Sequence, residues 1–405
     1  MKLFKYLSIL LFGIFLSGIL FARFPYRDFE IVESIPAETV LDNPEIRNTA
    51  EVWAEMIQSA RKTIDIEQFY VSNQAGEALE PVIREIEKAA DRSVTVRVIA
   101  DKRMASTYPE TLERLNTRNN ITVRKIAVFD EKGGVQHAKF FIVDREQVFL
   151  GSQNFDWRAL DHIHEIGLRI RNREYARRMT DLFDLDWRQC PGQRIDSLKP
   201  AGKDNWIEMS VGSREKLRFL TAASPIGNVP ISFREDLSVI IKMIDRAEKR
   251  VYVQLLSYSP LGRDHWFGDL DEALRRAAAR GVDVRLLCSD WCQHKYEMPY
   301  LKELVKLDNL DVKLSTIPQW SKGYISFARV EHCKFMIIDN KISWVGSSNW
   351  KRNYFYSSRN VAVIVENGRV NQELSKIFLK SWNGPYVWNV DPEKEYPPKF
   401  YGEKD

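Results

Sequence analysis

Helix-period and strand-period segments alternate along this chain, and the same order of segments occurs twice. An amphipathic stretch around Val52–Ala60 leads through Lys62 into an apolar run, Ile64–Tyr70. In the second half, Leu237–Ala247 leads through Lys249 into Val251–Leu256. The first kind of segment predicts a helix with one buried face, the second a buried strand. A further helix-like stretch precedes Val94-Thr-Val-Arg-Val-Ile in one half and Val282-Asp-Val-Arg-Leu-Leu in the other. The lysines are 187 residues apart and the first valines 188. His137 and His332, Asn154 and Asn349, and Trp187 and Trp382 all differ by 195. The offset grows only where a loop can lengthen, so the pattern records an internal duplication. Units this long are domains rather than solenoid repeats. Each is expected to be α/β, a central mixed sheet flanked by helices. Pro191 to Asn205, rich in Gly, Pro, Lys and Asp, reads as the connection. The expected organisation is residues 1–30 as a leading segment, 31–195 as the first domain, 196–215 as the linker and 216–405 as the second domain.

The leading segment has its own pattern. Lys2 and Lys5 precede an unbroken apolar run, Tyr6 to Ala22, which Arg23 ends. As a helix this run would span about 25 Å, the short end of what crosses a bilayer. Leu20 lies two before Ala22, where a cleaved signal would carry a small residue. An uncleaved membrane anchor is therefore expected in preference to a cleaved signal.

Composition narrows the picture only a little. Hydrophobic residues make up 44% of 405, enough for two domains with real cores. Sixty basic against 56 acidic side chains leave a net charge of +4, too small to indicate a polyanion partner by itself. Cys190, Cys288, Cys292 and Cys333 are too few for a disulfide scaffold. Cys288 and Cys292 are expected to be structural thiols or one disulfide rather than a metal site.

The chemistry lies in two matched constellations. The first runs His137-Ala-Lys139-Phe-Phe-Ile-Val-Asp144, then Gly151-Ser152-Gln-Asn154. The second runs His332-Cys-Lys334-Phe-Met-Ile-Ile-Asp339, then Gly346-Ser347-Ser-Asn349. Apolar runs on each side of a short polar turn predict a β-hairpin, and residues two apart on a strand share a face. Each half thus offers an imidazole, a cation and an amide donor. Face to face, the two sets suit phosphoryl transfer through a covalent intermediate. Lys139, Lys334, Asn154 and Asn349 would hold the non-bridging oxygens of a phosphodiester. One neutral imidazole would attack phosphorus while the other, protonated, donates to the leaving oxygen. The lysines supply the positive charge a metal would otherwise bring, so no metal or other cofactor is expected. Glu165 follows His137 by 28 residues, whereas the same step from His332 reaches Asn360. A carboxylate on the first ring would make His137 the nucleophile and His332 the general acid. Asp144 and Asp339 are read as turn residues. Ser152 and Ser347, with the aromatics Phe69, Tyr70 and Tyr258, are the candidate substrate contacts, the rings as stacking partners for a terminal base. His162, His164, His265 and His294 have no matched pattern and carry no assigned role.

These residues resemble the phospholipase D superfamily, whose signature is H-x-K-x-x-x-x-D followed by G-S-x-N. Within it the chain is similar to the branch of eukaryotic endolysosomal 5′-exonucleases and poxvirus envelope phospholipase-like proteins. The similar stretches are Val32–Pro36, Gly151–Arg158, Gly346–Phe355 and Ile377–Tyr386. The resemblance implies pseudo-twofold halves with one site at their seam, and removal of nucleotides from the 5′ end of single-stranded DNA or RNA at acid pH. It also implies a single-pass protein with an exoplasmic catalytic domain, in the endolysosomal lumen or, for a bacterial source, the periplasm or cell surface. Asn360 departs from the carboxylate of the wider superfamily at that position. The readings kept in competition are a phospholipase D or transphosphatidylase acting on membrane phospholipid, and a non-catalytic envelope or scaffold protein. A homodimer is compatible with any of them.

Overall fold

The computed structural model describes residues 26–195, 204–211, 215–262, 265–399 and 401–402. Two large mixed sheets carry the duplication. The first is ordered Arg47–Asn48, Phe29–Ser34, Glu165–Arg171, Gln147–Gly151, Phe140–Val143, Thr63–Gln68, Thr95–Asp101, Ile121–Ile126. The second repeats that order with Lys216–Ser224, Asn360–Glu366, Ile342–Gly346, Phe335–Ile338, Arg250–Leu255, Asp283–Ser289 and Leu310–Ser315. Ile207–Ser210 extends one edge and Val387–Asn389 the other. In both halves the inner strand pairs parallel on one side and antiparallel on the other, as with Ile64 opposite Val96 and Val143. The segment expected as a linker therefore contributes a strand, Ile207–Ser210, which pairs with Lys216–Ser224.

Helices cover the outer faces. Thr49–Gln58 begins at Asn48, whose side chain accepts from the Ala50 N–H and so satisfies a helix-start donor. Its Val52, Trp53, Met56 and Ile57 join Ile64, Val96 and Phe149 in a core confined to the first half. Asp236–Asp245 and Asp269–Ala279 do the same in the second. A third cluster belongs to both halves. It joins Phe140 and Ile166 to Phe335 and Val361, packed with helices Arg173–Gln189 and Gly368–Trp382. The two domains thus share a dry interior, and the seam is part of the core.

The hairpins expected around the two signatures are present. Asp144-Arg145 and Asp339-Asn340 have φ between +53° and +55°, the left-handed geometry of a two-residue turn that twists with its strands. The Asp144 carboxylate accepts from the N–H groups of Arg61, Lys62 and Thr63, and Asp339 from those of Glu248, Lys249 and Arg250. Each aspartate therefore ties the hairpin to the start of the neighbouring strand. Gly151 and Gly346 answer a different need. A β-carbon at Gly151 would lie 2.7 Å from Gly167 Cα, and one at Gly346 2.9 Å from the Val361 carbonyl oxygen. Only glycine lets the strand behind each hairpin approach so closely.

Two expectations are corrected here. The membrane segment, Tyr6–Ala22, lies outside the described residues. Among the described residues no helix is long and apolar enough to cross a membrane, so the single-pass, exoplasmic placement has no support and is withdrawn. The four cysteines are free thiols, and Cys288 and Cys292 are both buried, which removes the disulfide alternative.

One ion pair fastens the seam. Arg359 of the second half and Asp186 of the first are fully buried and joined by two bonds of 2.7 and 2.8 Å. The guanidinium also donates to the carbonyls of Ser224 and Asn228 and to the Asn228 side chain. Every direction in which it can donate is met, which is what a buried charge requires. Removing one partner strands the other, so Asp186→Ala should cost about 3–5 kcal/mol in urea unfolding. Arg173→Ala, on the same helix but more than four-fifths exposed, should change it by under about 0.5 kcal/mol.

Candidate active site at the seam of the two halves

His137 and His332 stand just before strands Phe140–Val143 and Phe335–Ile338, where short parallel bridges join the halves. Gln136 bridges to Arg359 and His164 to Glu331. The His137 N–H donates to the Arg359 carbonyl at 2.8 Å, and the His332 N–H to the His164 carbonyl at 2.9 Å. The residue after each acceptor is thereby brought against the opposite ring. Nδ1 of His137 lies 3.0 Å from Oδ1 of Asn360, and Nδ1 of His332 lies 3.0 Å from Oε1 of Glu165. The expectation that Glu165 serves His137 is therefore corrected. Each histidine takes its orienting group from the other half, because the strand bearing that group starts at the seam.

This exchange sets the protonation of the two rings. The Asn360 amide nitrogen donates to the Tyr354 carbonyl at 2.8 Å, a group that can only accept. Its oxygen must then face His137 and accept from Nδ1–H, which leaves Nε2 with its lone pair free. Burial, then Lys139 and Lys334, hold His137 well below the ordinary imidazole range and keep it neutral. At the other ring, burial pushes the Glu165 carboxyl up to about 8 and lowers His332. The contact between them is close but poorly aligned, with no directed hydrogen bond to either atom. Together they retain one proton near neutrality. In both arrangements of that proton, His332 can present an Nε2–H.

The lysines complete the set. Lys139 and Lys334 are fully buried, and each Nζ donates to the carbonyl of its own histidine, at 2.8 and 2.7 Å. Burial lowers both, Lys334 to about 8, and the charge of Lys334 lowers Lys139 further. Asn154 and Asn349 are buried close by in sequence register, and the amide oxygen of each lacks a hydrogen-bond partner among the described residues.

The serines lie behind the site. Ser152 Oγ sits between the N–H and carbonyl of Ile166, and Ser347 Oγ donates to Asn360 Oδ1 at 3.0 Å. They hold the strands that carry Glu165 and Asn360. The Phe69 ring lies 5.0 Å from His137 and 5.1 Å from the Lys139 ammonium. Tyr70 bonds Asp156 and stacks on Tyr108 at 5.0 Å. Tyr258 is elsewhere: it is 1% exposed, packed in the second domain's core, with its hydroxyl on Asp271. A tyrosine after a strand end faced the core there, and the expected stacking role is dropped.

Two participants escaped the sequence reading. In sequence Asn360 stands only as an absent carboxylate, and the seam makes it the partner of His137. Tyr354 packs edge-on against the His137 ring at 5.0 Å. Its position in the Asn-Tyr-Phe stretch after Asn349 was the available signal. His164 forms a buried 2.7 Å pair with Glu331 beneath the site, with Cys333 beside them, and His162 packs between Trp157 and Trp320.

The family described as cardiolipin synthase, PLD-like domain, matches residues 53–187 and again 240–382. The chain belongs to this PLD-like family. Among its relatives, the human 5′-3′ exonuclease PLD3 is 31% identical, the match covering 89% of this chain and 80% of that protein. The virion nicking-joining enzyme of vaccinia virus strain Western Reserve is 30% identical, over 89% of each. Phospholipase D Z of Dictyostelium discoideum is 28% identical, over 89% of this chain and 90% of that one. The structure of phosphatidylserine synthase from Haemophilus influenzae Rd KW20 superposes with a TM-score of 0.62 at 13% identity, covering 84% of this chain and 85% of that one. That likeness concerns the fold, and it agrees with two PLD-like halves joined at one seam.

The proton inventory predicts a pH profile. Neutral His137 is lost only well below the ordinary imidazole range, whereas the proton shared by Glu165 and His332, and that of Lys334, are lost as pH rises through about 8. Turnover of a phosphodiester such as bis(p-nitrophenyl) phosphate should therefore hold from acid to neutral pH and fall above about 8. Glu165→Gln removes the negative charge that favours the imidazolium, so the alkaline limb of kcat/KM should move to lower pH with the acid limb in place.

Proposed function

We propose that this protein is a phosphodiesterase that works through a phosphohistidine and removes nucleotides from the 5′ end of single-stranded DNA or RNA. The carrying observation is electrostatic. Two fully buried ammonium groups face a site whose carboxylate is already engaged with a histidine. Holding one proton, the carboxyl–histidine pair is net neutral, so neither ammonium charge is compensated, and a phosphodiester monoanion would offset one in the ground state and more as charge builds on its oxygens.

His137 Nε2 attacks phosphorus, and the bond to the leaving oxygen breaks as His332 Nε2–H donates its proton to it. The result is a phosphorus–nitrogen bond on His137 and a free alcohol. His332, now a base, takes a proton from water, whose oxygen displaces Nε2 and releases a phosphate monoester. Lys139 and Lys334 hold the non-bridging oxygens as charge builds on them. His137 is assigned the nucleophile because its free lone pair points away from Asn360. With Glu165 on His332, the carboxylate no longer selects His137 as nucleophile; His332 is assigned the acid because the Glu165 carboxyl, raised to about 8, keeps a proton within its reach.

Single-stranded nucleic acid is favoured by the half-buried aromatic faces of Phe69, Tyr70, Tyr108 and Tyr354 around the His137 side. Relatives named as an exonuclease and a nicking-joining enzyme support the same substrate class. A lipid reading draws on a small apolar cluster near the other ring, Ile163, Leu256, Ile325, Ala328 and Val330, and on the relative named phospholipase D Z.

The test incubates the protein in EDTA with a 5′-hydroxyl single-stranded oligonucleotide and, separately, with phosphatidylcholine vesicles plus an alcohol. Ladders shortening from the 5′ end are expected. New phosphatidyl alcohol with an intact oligonucleotide would transfer the assignment to phospholipid. His137→Ala and His332→Ala should each lower turnover at least about a thousandfold, since members of one catalytic set fail together. With His332→Asn, labelled phosphorus should accumulate on His137. Label on His332 in the His137→Asn variant would reverse the two roles.

A further inference from the structure

The pseudo-twofold that relates the histidines also relates two flanks of the site, and the flanks have opposite chemistry. Trp157 and Arg352 occupy equivalent positions, as do Phe327 and Lys132, each pair separated by the same 195 residues as His137 and His332. On the first flank these positions carry aromatic rings: Trp157 packs on His162, and Phe327, though 47% exposed, lies edge-on to Trp291. On the second flank they carry cations and line a cavity of about 760 Å³, whose walls include Lys132, Tyr296, Glu297, Lys351, Arg352 and Ser357.

The cavity borders the site directly. Lys351 follows Asn349 by two residues, and Tyr354, against the His137 ring, follows Asn353. Gly134, just before the first signature, is pressed so tightly on Ser357 that a β-carbon would lie 2.2 Å from its carbonyl oxygen. The approach to His137 and the turn before Asn360 thus share a wall with the cavity.

Its charge is unbalanced. Lys351 is paired with Glu297 at 2.6 Å, which cancels both. Arg352 lies over the Tyr356 ring at 4.7 Å and has no acidic partner among the described residues. Lys132 is exposed and also without an acidic partner among them. Tyr296 also lines the cavity and is 48% exposed, with the Lys295 ammonium over its ring at 4.9 Å and the His294 ring 5.1 Å away. Two unneutralised cations beside a half-exposed aromatic ring are what a phosphate and its neighbouring base require. A lipid acyl chain would instead meet the solvation cost of both cations.

We infer that this cavity binds the polynucleotide beyond the scissile phosphate, with Lys132 and Arg352 on a backbone phosphate and Tyr296 under a base. The inference rests on the nuclease reading above and adds a length-dependent subsite to it.

The experiment compares a 20-nucleotide single strand with a dinucleoside monophosphate as substrates of the wild-type chain and of Arg352→Gln and Lys132→Gln. Each variant should raise KM for the long strand about tenfold, the size of one charge-assisted phosphate contact. KM for the dinucleoside, and thermal stability, should change little. The slope of log(1/KM) against log salt for the long strand should flatten by about 0.7 per contact removed. Tyr296→Ala should raise the long-strand KM without altering that slope. Equal losses on both substrates, or no loss on the long one, would overturn the subsite while leaving the nuclease in place. If the wild type shortens neither substrate, both readings fall.

Discussion

Two backbone hydrogen bonds across the seam, His137 N–H to Arg359 and His332 N–H to His164, set how the two histidines meet the groups that flank them. They bring Asn360 to one imidazole and Glu165 to the other. Neither half can orient its own histidine, since the orienting residue lies on a strand of the partner half. The site therefore exists only when the domains are docked. The core shared by Phe140, Ile166, Phe335 and Val361 supplies the apolar burial that docks them.

Docking also creates the electrostatic tension that the chemistry uses. Lysine ammonium groups in water have no need of a phosphate, whereas Lys139 and Lys334 have lost their hydration and retain only carbonyl acceptors. An arriving phosphodiester relieves that deficit at the ground state and more strongly as charge builds on its oxygens. The same burial keeps His137 neutral and lets the Glu165–His332 pair hold its proton close to neutrality. One physical cause, burial at the seam, thus shifts the protonation of both histidines' surroundings and of both lysines together, as the proposed chemistry would require.

Duplication did not keep the halves equivalent. Beneath the His137 signature the seam is closed by the Arg359–Asp186 pair, and beneath the His332 signature by His164–Glu331. Around the rings, Phe69 and Tyr354 crowd His137, while the equivalent positions by offset hold Leu256 and Ala159. One flank is packed with aromatics and the other is an open basic cavity. A symmetric fold has become a site with distinct sides, as the proposed reaction, with a distinct nucleophile and leaving group, would demand.

The sequence alone determined the duplicated α/β plan and the two hairpins, and it singled out the imidazoles, lysines and amides as candidates. Those features are local: periodicity sets helix or strand, and spacing along a strand sets which side chains share a face. The turn role of Asp144 and Asp339 was legible for the same reason. Only the tertiary structure decided that Glu165 serves His332 and Asn360 serves His137, because an offset of 28 residues gives no information about which half a strand end faces. It also decided that Tyr258 is core, that a supposed linker adds a strand, and that Tyr354 touches His137. Each of these depends on contacts between segments distant in the chain, and a one-dimensional pattern carries no record of which surfaces meet.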